Sequence, residues 1–228
     1  MENRGFMDKK DYINEFENCF INNLDESLFV DLDLAKKNYD TIQKTSKASK
    51  VCLALAGACF SGSVITFMFP KIVAGFGAAF LLSLPAGIVL NSVARHKFRG
   101  LKEEGELHDY LNYDIYAKNE FIVNRVNELK GKNDCEKRTA GMLKNNLDKL
   151  FNLDSTLKSE LEGLEDYYLD RIDDAYQTGE NINDIKAEKE LYMGQIIKTT
   201  GNIKNHIDAN LDIYSTFVPE YKEKIMSI

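Results

Sequence analysis

The chain has 228 residues with 29 basic and 36 acidic side chains, a formal charge of -7, so its surface as a whole repels polyanions and nucleic acid is excluded as a bulk partner. At 44% hydrophobic and 29% charged, with three prolines and no tryptophan, it is too apolar for wholesale disorder and too proline-poor for a turn-rich all-β fold, which leaves long helices. The mean hydropathy of -0.34 averages two unlike populations, because nearly all uncharged apolar residues fall in one stretch.

Tyr12, Ile13, Phe16, Phe20 and Leu24 recur at three- and four-residue steps and predict a short amphipathic helix capped by Asp8. Glu2, Asp8, Asp11, Glu15 and Glu17 interrupt this region, so no secretory signal peptide is expected. A second helix is expected from Asp31 or Asp33, with a face of Leu32, Ala35, Tyr39 and Ile42. No proline or glycine stops it before Lys50, so it runs on into the apolar block and couples residues 1–50, a cytosolic region, rigidly to that block.

Between Val51 and Val93 the one side chain charged at neutral pH is Lys71, which follows Pro70. The two halves, Val51–Phe69 and Ile72–Val93, are 19 and 22 residues long, and a helix crosses the hydrocarbon of a bilayer with about 20. Residues 51–93 therefore predict a transmembrane helical hairpin with Pro70 and Lys71 as its link, Lys71 snorkelling to the far interface. Phe60, Ile65, Phe69, Phe76, Phe80 and Leu84 are the expected membrane-facing residues. Small residues at four-residue steps, Ala54, Ala58 and Gly62 on the first helix and Gly75, Ala79, Ser83 and Gly87 on the second, are the expected helix-packing face. Pro85 should kink the second helix unless its freed carbonyl finds a partner. Lys44, Lys47 and Lys50 before the hairpin and Arg95, Lys97, Arg99 and Lys102 after it place both termini in the cytosol; Lys50, Arg95, Lys97 and Arg99 are candidate lipid-headgroup contacts. The competing structure is the same hairpin buried in a soluble bundle, since Gly, Ser and Thr dilute the first half.

Residues 94–228 predict a helical bundle or coiled-coil domain. Leu107, Leu111, Ile115, Ile122, Val126 and Leu129 mark a helix stopped by Gly131-Lys132-Asn133-Asp134. Leu143, Leu147, Leu150, Leu157, Leu161, Leu164, Tyr168 and Ile172 mark a longer one from about Asp134 to Gln177. Thr178-Gly179-Glu180-Asn181 breaks it, and a last helix runs antiparallel from Ile182 to Phe217. A strict heptad would place Arg171, Lys189 and Asn210 in the core; a 3.6-residue drift selects Ile172, Ile207 and Leu211 instead, and is the preferred register. The fold class is thus all-α, a transmembrane hairpin plus an antiparallel bundle of three or four long helices.

Chemistry is sparse. His96, His108 and His206 stand far apart with no metal-binding spacing, no phosphate-binding loop is formed around Gly131-Lys132, and Cys19, Cys52, Cys59 and Cys135 show no paired spacing, so no metal, cofactor or disulfide framework is expected. Ser155-x-x-Lys158 matches a serine–lysine spacing that arises readily by chance on a polar helix face. The acidic groups Glu103, Glu104, Glu106 and Asp109, and Asp170, Asp173 and Asp174, read as solvated helix faces. Tyr110, Tyr113 and Tyr116, at three-residue steps, are the candidate partner-binding surface. No enzymatic role is expected.

A short amino-terminal region, a bilobed hydrophobic hairpin with a tiny link and a long helical carboxy-terminal region: this layout resembles the bilobed-hairpin inclusion and vacuole membrane proteins of intracellular bacteria, through the block Val51 to Val93. The resemblance implies secretion into a host cell, insertion in a host-derived membrane, and cytosolic helices that bind a partner protein. Membrane lipid and another protein are then the expected partners, with self-association open. Two other functions use the same parts. Helical pore-forming toxins also carry a hydrophobic hairpin among long amphipathic helices, and Gly57, Ser61, Gly62, Ser63 and Thr66 would suit a pore lining. A membrane-shaping scaffold would wedge one leaflet with the hairpin.

Overall fold

The structure is a computed structural model that describes residues 24–65 and 70–218. Among them the chain is all-helical: a 3-10 turn at Glu26–Leu28, then α1 (Leu32–Ile65), α2 (Pro70–Glu103), α3 (Leu107–Leu129), α4 (Cys135–Thr178) and α5 (Ile182–Phe217). The predicted helix at Tyr12–Leu24 lies outside the described residues apart from Leu24, and so do Phe69 and residues 219–228.

Each helix end has a local cause. Asp31 caps α1, its Oδ1 accepting the Leu34 N–H at 2.9 Å, so the helix starts where the acidic residues predict. From there α1 runs 34 residues without a break, joining the charged and apolar segments as one rod. Pro70 does not form the link expected of it. It opens α2, where its fixed φ suits a first helical turn and its missing N–H would have no partner in any case. Pro85 sits inside α2 and does not end it. Gly105, at φ 75°, closes α2 with the Glu106 N–H donating to the Leu101 carbonyl at 2.8 Å; a left-handed residue is needed there and the sequence reading missed it. Gly179, at φ 77°, ends α4 as expected, and the Asn181 side chain accepts from the Asn183 N–H to start α5.

The chain divides into two compact units. One is Asp31–Tyr113; the other carries the described residues 24–30 and 114–218, so the boundary falls inside α3. The unit that contains the apolar hairpin is wider than 51–93 at both ends. Its helices α1 and α2 lie antiparallel, with Leu53 against Gly87, Phe60 against Phe80 and Gly62 against Phe76.

In the second unit α4 and α5 pair antiparallel and α3 joins them. The seam is a heptad. Leu143, Leu150 and Leu157 on α4 and Ile196, Ile203 and Asn210 on α5 are buried at seven-residue steps, with Ile115, Ile122 and Leu129 doing the same on α3. Neither register holds alone: Asn210, a strict-heptad position, is fully buried, but Ile207, which the preferred drift register selects, is buried too and Ile172 packs against the Tyr168 core, while Arg171, Lys189 and Leu211 are half-buried. Arg171 fits because its guanidinium donates to Glu180 at 3.2 Å and to Glu188 at 2.9 Å, and these bonds, Glu180 first, raise its already high pKa further. Beside it Tyr168, Ala175 and Ile185 form a small core, and the buried Tyr168 hydroxyl donates to Glu188 at 3.1 Å. Burial first, and then this bond, push the Tyr168 pKa up to about 12.

Candidate membrane-facing hairpin

Why α1 and α2 adhere is legible in a seven-residue pattern. Ala35, Ile42, Ser49 and Ala56 are buried on α1; Gly87, Ala94 and Leu101 are buried on α2. Seven residues are nearly two full turns, so these positions stay in register with only ~20° of drift per step, and the seam continues from the charged segment into the apolar one. Small side chains along it let the backbones come close. A methyl carbon added at Gly87 would lie 2.8 Å from Leu53 Cγ, and one at Gly62 3.0 Å from the Phe76 ring. Beside Gly87 the pair is also bonded, the Ser49 hydroxyl donating to the Gly87 carbonyl at 2.8 Å.

The expected four-residue packing face is corrected by this geometry. Gly62 and Gly87 do meet the opposite helix. Ala54, Ala58, Gly75 and Ala79 are exposed, and Ser83 is half-buried with its hydroxyl donating back to the Ala79 carbonyl at 2.7 Å. Four residues overshoot a turn by ~40°, so a four-residue series winds away from a straight neighbour within a few steps.

Much of the apolar block that the structure describes is exposed. Leu81 is 70% exposed, Leu82 77% and Phe60 60%, joined by Val51, Leu55, Ile88 and Val89. Of the remaining residues expected to face the membrane, Phe76, Phe80 and Leu84 are half-buried, Phe76 and Phe80 because they cover Gly62 and Phe60 respectively. Ile65 is the last residue of α1, and Lys71 follows Pro70 in the first turn of α2. One described helix, Gly75–Glu103, is long and apolar enough to cross a membrane, and only 6% of its apolar window is buried. Such a surface in water is a liability; in lipid it is the normal exterior.

Below the apolar block the basic residues form a collar. Lys50, Arg95, Lys97 and Arg99 are all exposed. On one side of the hairpin a shallow groove of about 410 Å³ runs between the helices, its floor made by Ile42 and Ala94 and its rim by Ser46, Asn91, Arg95, Phe98 and Arg99.

The three tyrosines singled out as a partner surface are corrected. Tyr110 is buried, with its ring 5.5 Å from Phe98 and 6.0 Å from Tyr39; Tyr113 is half-buried, 5.2 Å from Tyr39. Tyr116 is half-buried too, and burial followed by the neighbouring Glu120 charge raises its pKa. The Tyr110 and Tyr113 rings hold the start of α3 against the base of the hairpin, aided by the Asp31 N–H donating to Asp109 at 2.9 Å and the Asn38 amide donating to Glu106 at 2.6 Å. Two of the acidic residues read as a solvated face thus act as local anchors. Exposed apolar side chains are others: Phe121 on α3, Tyr167, Leu169 and Tyr176 on α4, and Leu191 and Ile197 on α5.

A polar layer crosses the second unit, and sequence periodicity did not single it out. Each of its three helices contributes an asparagine. Asn146 donates to Asn119 at 3.0 Å and to Asn210 at 3.3 Å, Asn210 donates to the His206 carbonyl at 2.7 Å, and Asn119 Nδ2 lies 3.0 Å from His206 Nδ1. Because Asn119 uses its oxygen as an acceptor and its amide nitrogen as a donor, His206 Nδ1 must be unprotonated. Desolvation lowers the His206 pKa from 6.5 to about 4, which keeps the ring neutral. Among the described residues no three His, Cys, Asp or Glu side chains converge on a metal-sized site. Comparison with protein-family models, with curated proteins and with solved structures finds no match for this chain.

Proposed function

We propose that this protein is a membrane-anchored helical scaffold, inserted by the α1–α2 hairpin from one face of the bilayer, whose second unit binds a partner protein. The single observation that carries the reading is the outward apolar surface of the α2 span, whose side chains find almost no protein cover. Length fits as well. Each hairpin helix is 34 residues, ~51 Å, so about 30 Å of it crosses hydrocarbon and the rest stands in the cytosol as a stiff stalk. The collar of Lys47, Lys50, Arg95, Lys97 and Arg99 sits where that crossing begins, which favours both termini on the cytosolic side. The layout is that of effectors inserted in a host-derived vacuole membrane. A partner would meet the exposed Leu169, Tyr176 and Leu191 rather than the tyrosines of α3.

The pore-forming alternative draws on the hydroxyls in the hairpin. Of the hydroxyls that reading names, Ser61 donates to the Gly57 carbonyl at 3.0 Å and is satisfied within its own helix without a water-filled lumen, while Thr66 lies outside the described residues. The deciding experiment is synthesis of the full chain in the presence of liposomes without detergent. An anchor stays with the membrane through an alkaline carbonate wash and releases no trapped dye. Recovery as a water-soluble monomer would overturn anchoring, and dye release would replace it with pore formation.

A further inference from the structure

The groove beside the collar has a composition that the hairpin's own packing does not use. Arg95 and Arg99 are one turn apart on the same face of α2, both exposed, and neither meets a carboxylate among the described residues. Ser46 and Asn91 face them from half-buried positions and have no protein hydrogen-bond partner among the described residues, in contrast to Ser49, which is bonded to Gly87. Two cations and two neutral donors above an apolar floor of Ile42 and Ala94 match an anionic phosphate ester with a hydrocarbon tail.

Depth and direction agree. Asn91 lies about twenty residues into α2, ~30 Å from its start, so the groove falls where hydrocarbon gives way to headgroups when the hairpin spans the bilayer. Seven and fourteen residues toward the tip from Arg95 stand Ile88 and Leu81, and at the same steps from Ser46 stand Leu53 and Phe60; all four are exposed apolar side chains that would flank acyl chains. We propose that this groove is a specific site for one anionic phospholipid, its phosphate held by Arg95 and Arg99 with Ser46 and Asn91 donating to the headgroup. The proposal rests on the anchoring reading above.

The test is native mass spectrometry of the full chain in mild detergent, titrated with phosphatidylglycerol and, separately, with phosphatidylcholine. One tightly held phosphatidylglycerol per chain is expected, with phosphatidylcholine far weaker. R95Q/R99Q should weaken the adduct about thirtyfold, the factor two basic residues near an anionic headgroup supply. K47Q/K97Q, which removes the same charge from the collar outside the groove, should change it less than about threefold. Equal loss in both double variants, or equal binding of the two lipids, would overturn the site in favour of a diffuse collar. Displacement of the lipid by millimolar inorganic phosphate would reassign it to a soluble anion. Helicity of R95Q/R99Q is expected to equal that of the parent, since both side chains are exposed. The carbonate wash reads anchoring separately: release of the parent chain would defeat insertion, whereas a retained R95Q/R99Q that has lost its lipid adduct supports the groove.

Discussion

At His206 the surroundings decide the protonation state, and they fix the sign of its pH dependence. The unfolded chain takes up a proton near 6.5, whereas the folded one resists until about 4, so the contribution to stability is complete above pH 6.5 and is lost as pH falls toward 4. The loss amounts to about 1.4 kcal/mol per pH unit at its steepest, about 3 kcal/mol in all. Urea unfolding at pH 7 and pH 5 should show it, and His206→Gln, which has no proton to gain, should remove most of the difference. Asn146 bonds to both other asparagines, and Asn146→Ala would strand two buried amides at a cost of about 1–3 kcal/mol, read as a lower urea midpoint. Replacing Asn119, Asn146 and Asn210 together by leucine should leave stability equal or higher while loosening the register, because a satisfied polar layer specifies alignment more than it adds free energy. Tyr110 belongs to the same scale. Its ring is enclosed by Tyr39 and Phe98, so Tyr110→Ser should destabilise the hairpin unit by about 3 kcal/mol, visible in thermal unfolding, instead of sparing the fold as a surface tyrosine would.

Between elements, the two hairpin helices hold each other by closeness rather than by bulk. Gly87→Val would force Leu53 and its backbone nitrogen, 3.2 Å from the added carbon, away from α2 and should cost about 1–3 kcal/mol. Gly75→Ala touches nothing within 4 Å and should be neutral or stabilising by up to about 1 kcal/mol through helix propensity alone. Denaturation of both variants in mild detergent distinguishes a seam at seven-residue steps from the four-residue face, which would make Gly75 as sensitive as Gly87. In the second unit the heptad tolerates Arg171 in its seam because Glu180 and Glu188 meet its head. Apolar periodicity alone assigns such a position to the surface, as it assigned Asn210.

For the whole molecule the question is which solvent surrounds the apolar face. Leu81→Lys alters an exposed side chain that would carry little folding energy in water. In a bilayer the same change adds about 2.5–3.5 kcal/mol to insertion. Carbonate extraction of the Leu81→Lys/Leu82→Lys chain should therefore release much of it from membranes if those residues face lipid, and leave the distribution unaltered if they do not. The proposed partner surface of the second unit belongs to the same scale: changing the exposed Leu169 and Tyr176 to serine removes apolar area from its outside and should preserve helicity, read by circular dichroism.

The amino-acid order by itself determined the all-helical class, the ends of α4 and α5, the continuity of α1 through Lys50 and the apolar block, since periodicity, left-handed glycines and charge are local properties. Tertiary structure alone decided which side chains face one another. The four-residue small-residue pattern lies within Val51–Val93, whereas the seven-residue seam runs mostly outside it and enters at Ala56 and Gly87; the partner helix selects the series that stays in phase with it. A polar residue on a core stripe is indistinguishable from a surface residue until its partners on other helices are known, as with Asn119, Asn146 and Asn210. Tyr110 and Tyr113 looked available because their own helix gives no sign of Tyr39 and Phe98, which stand on the two preceding helices.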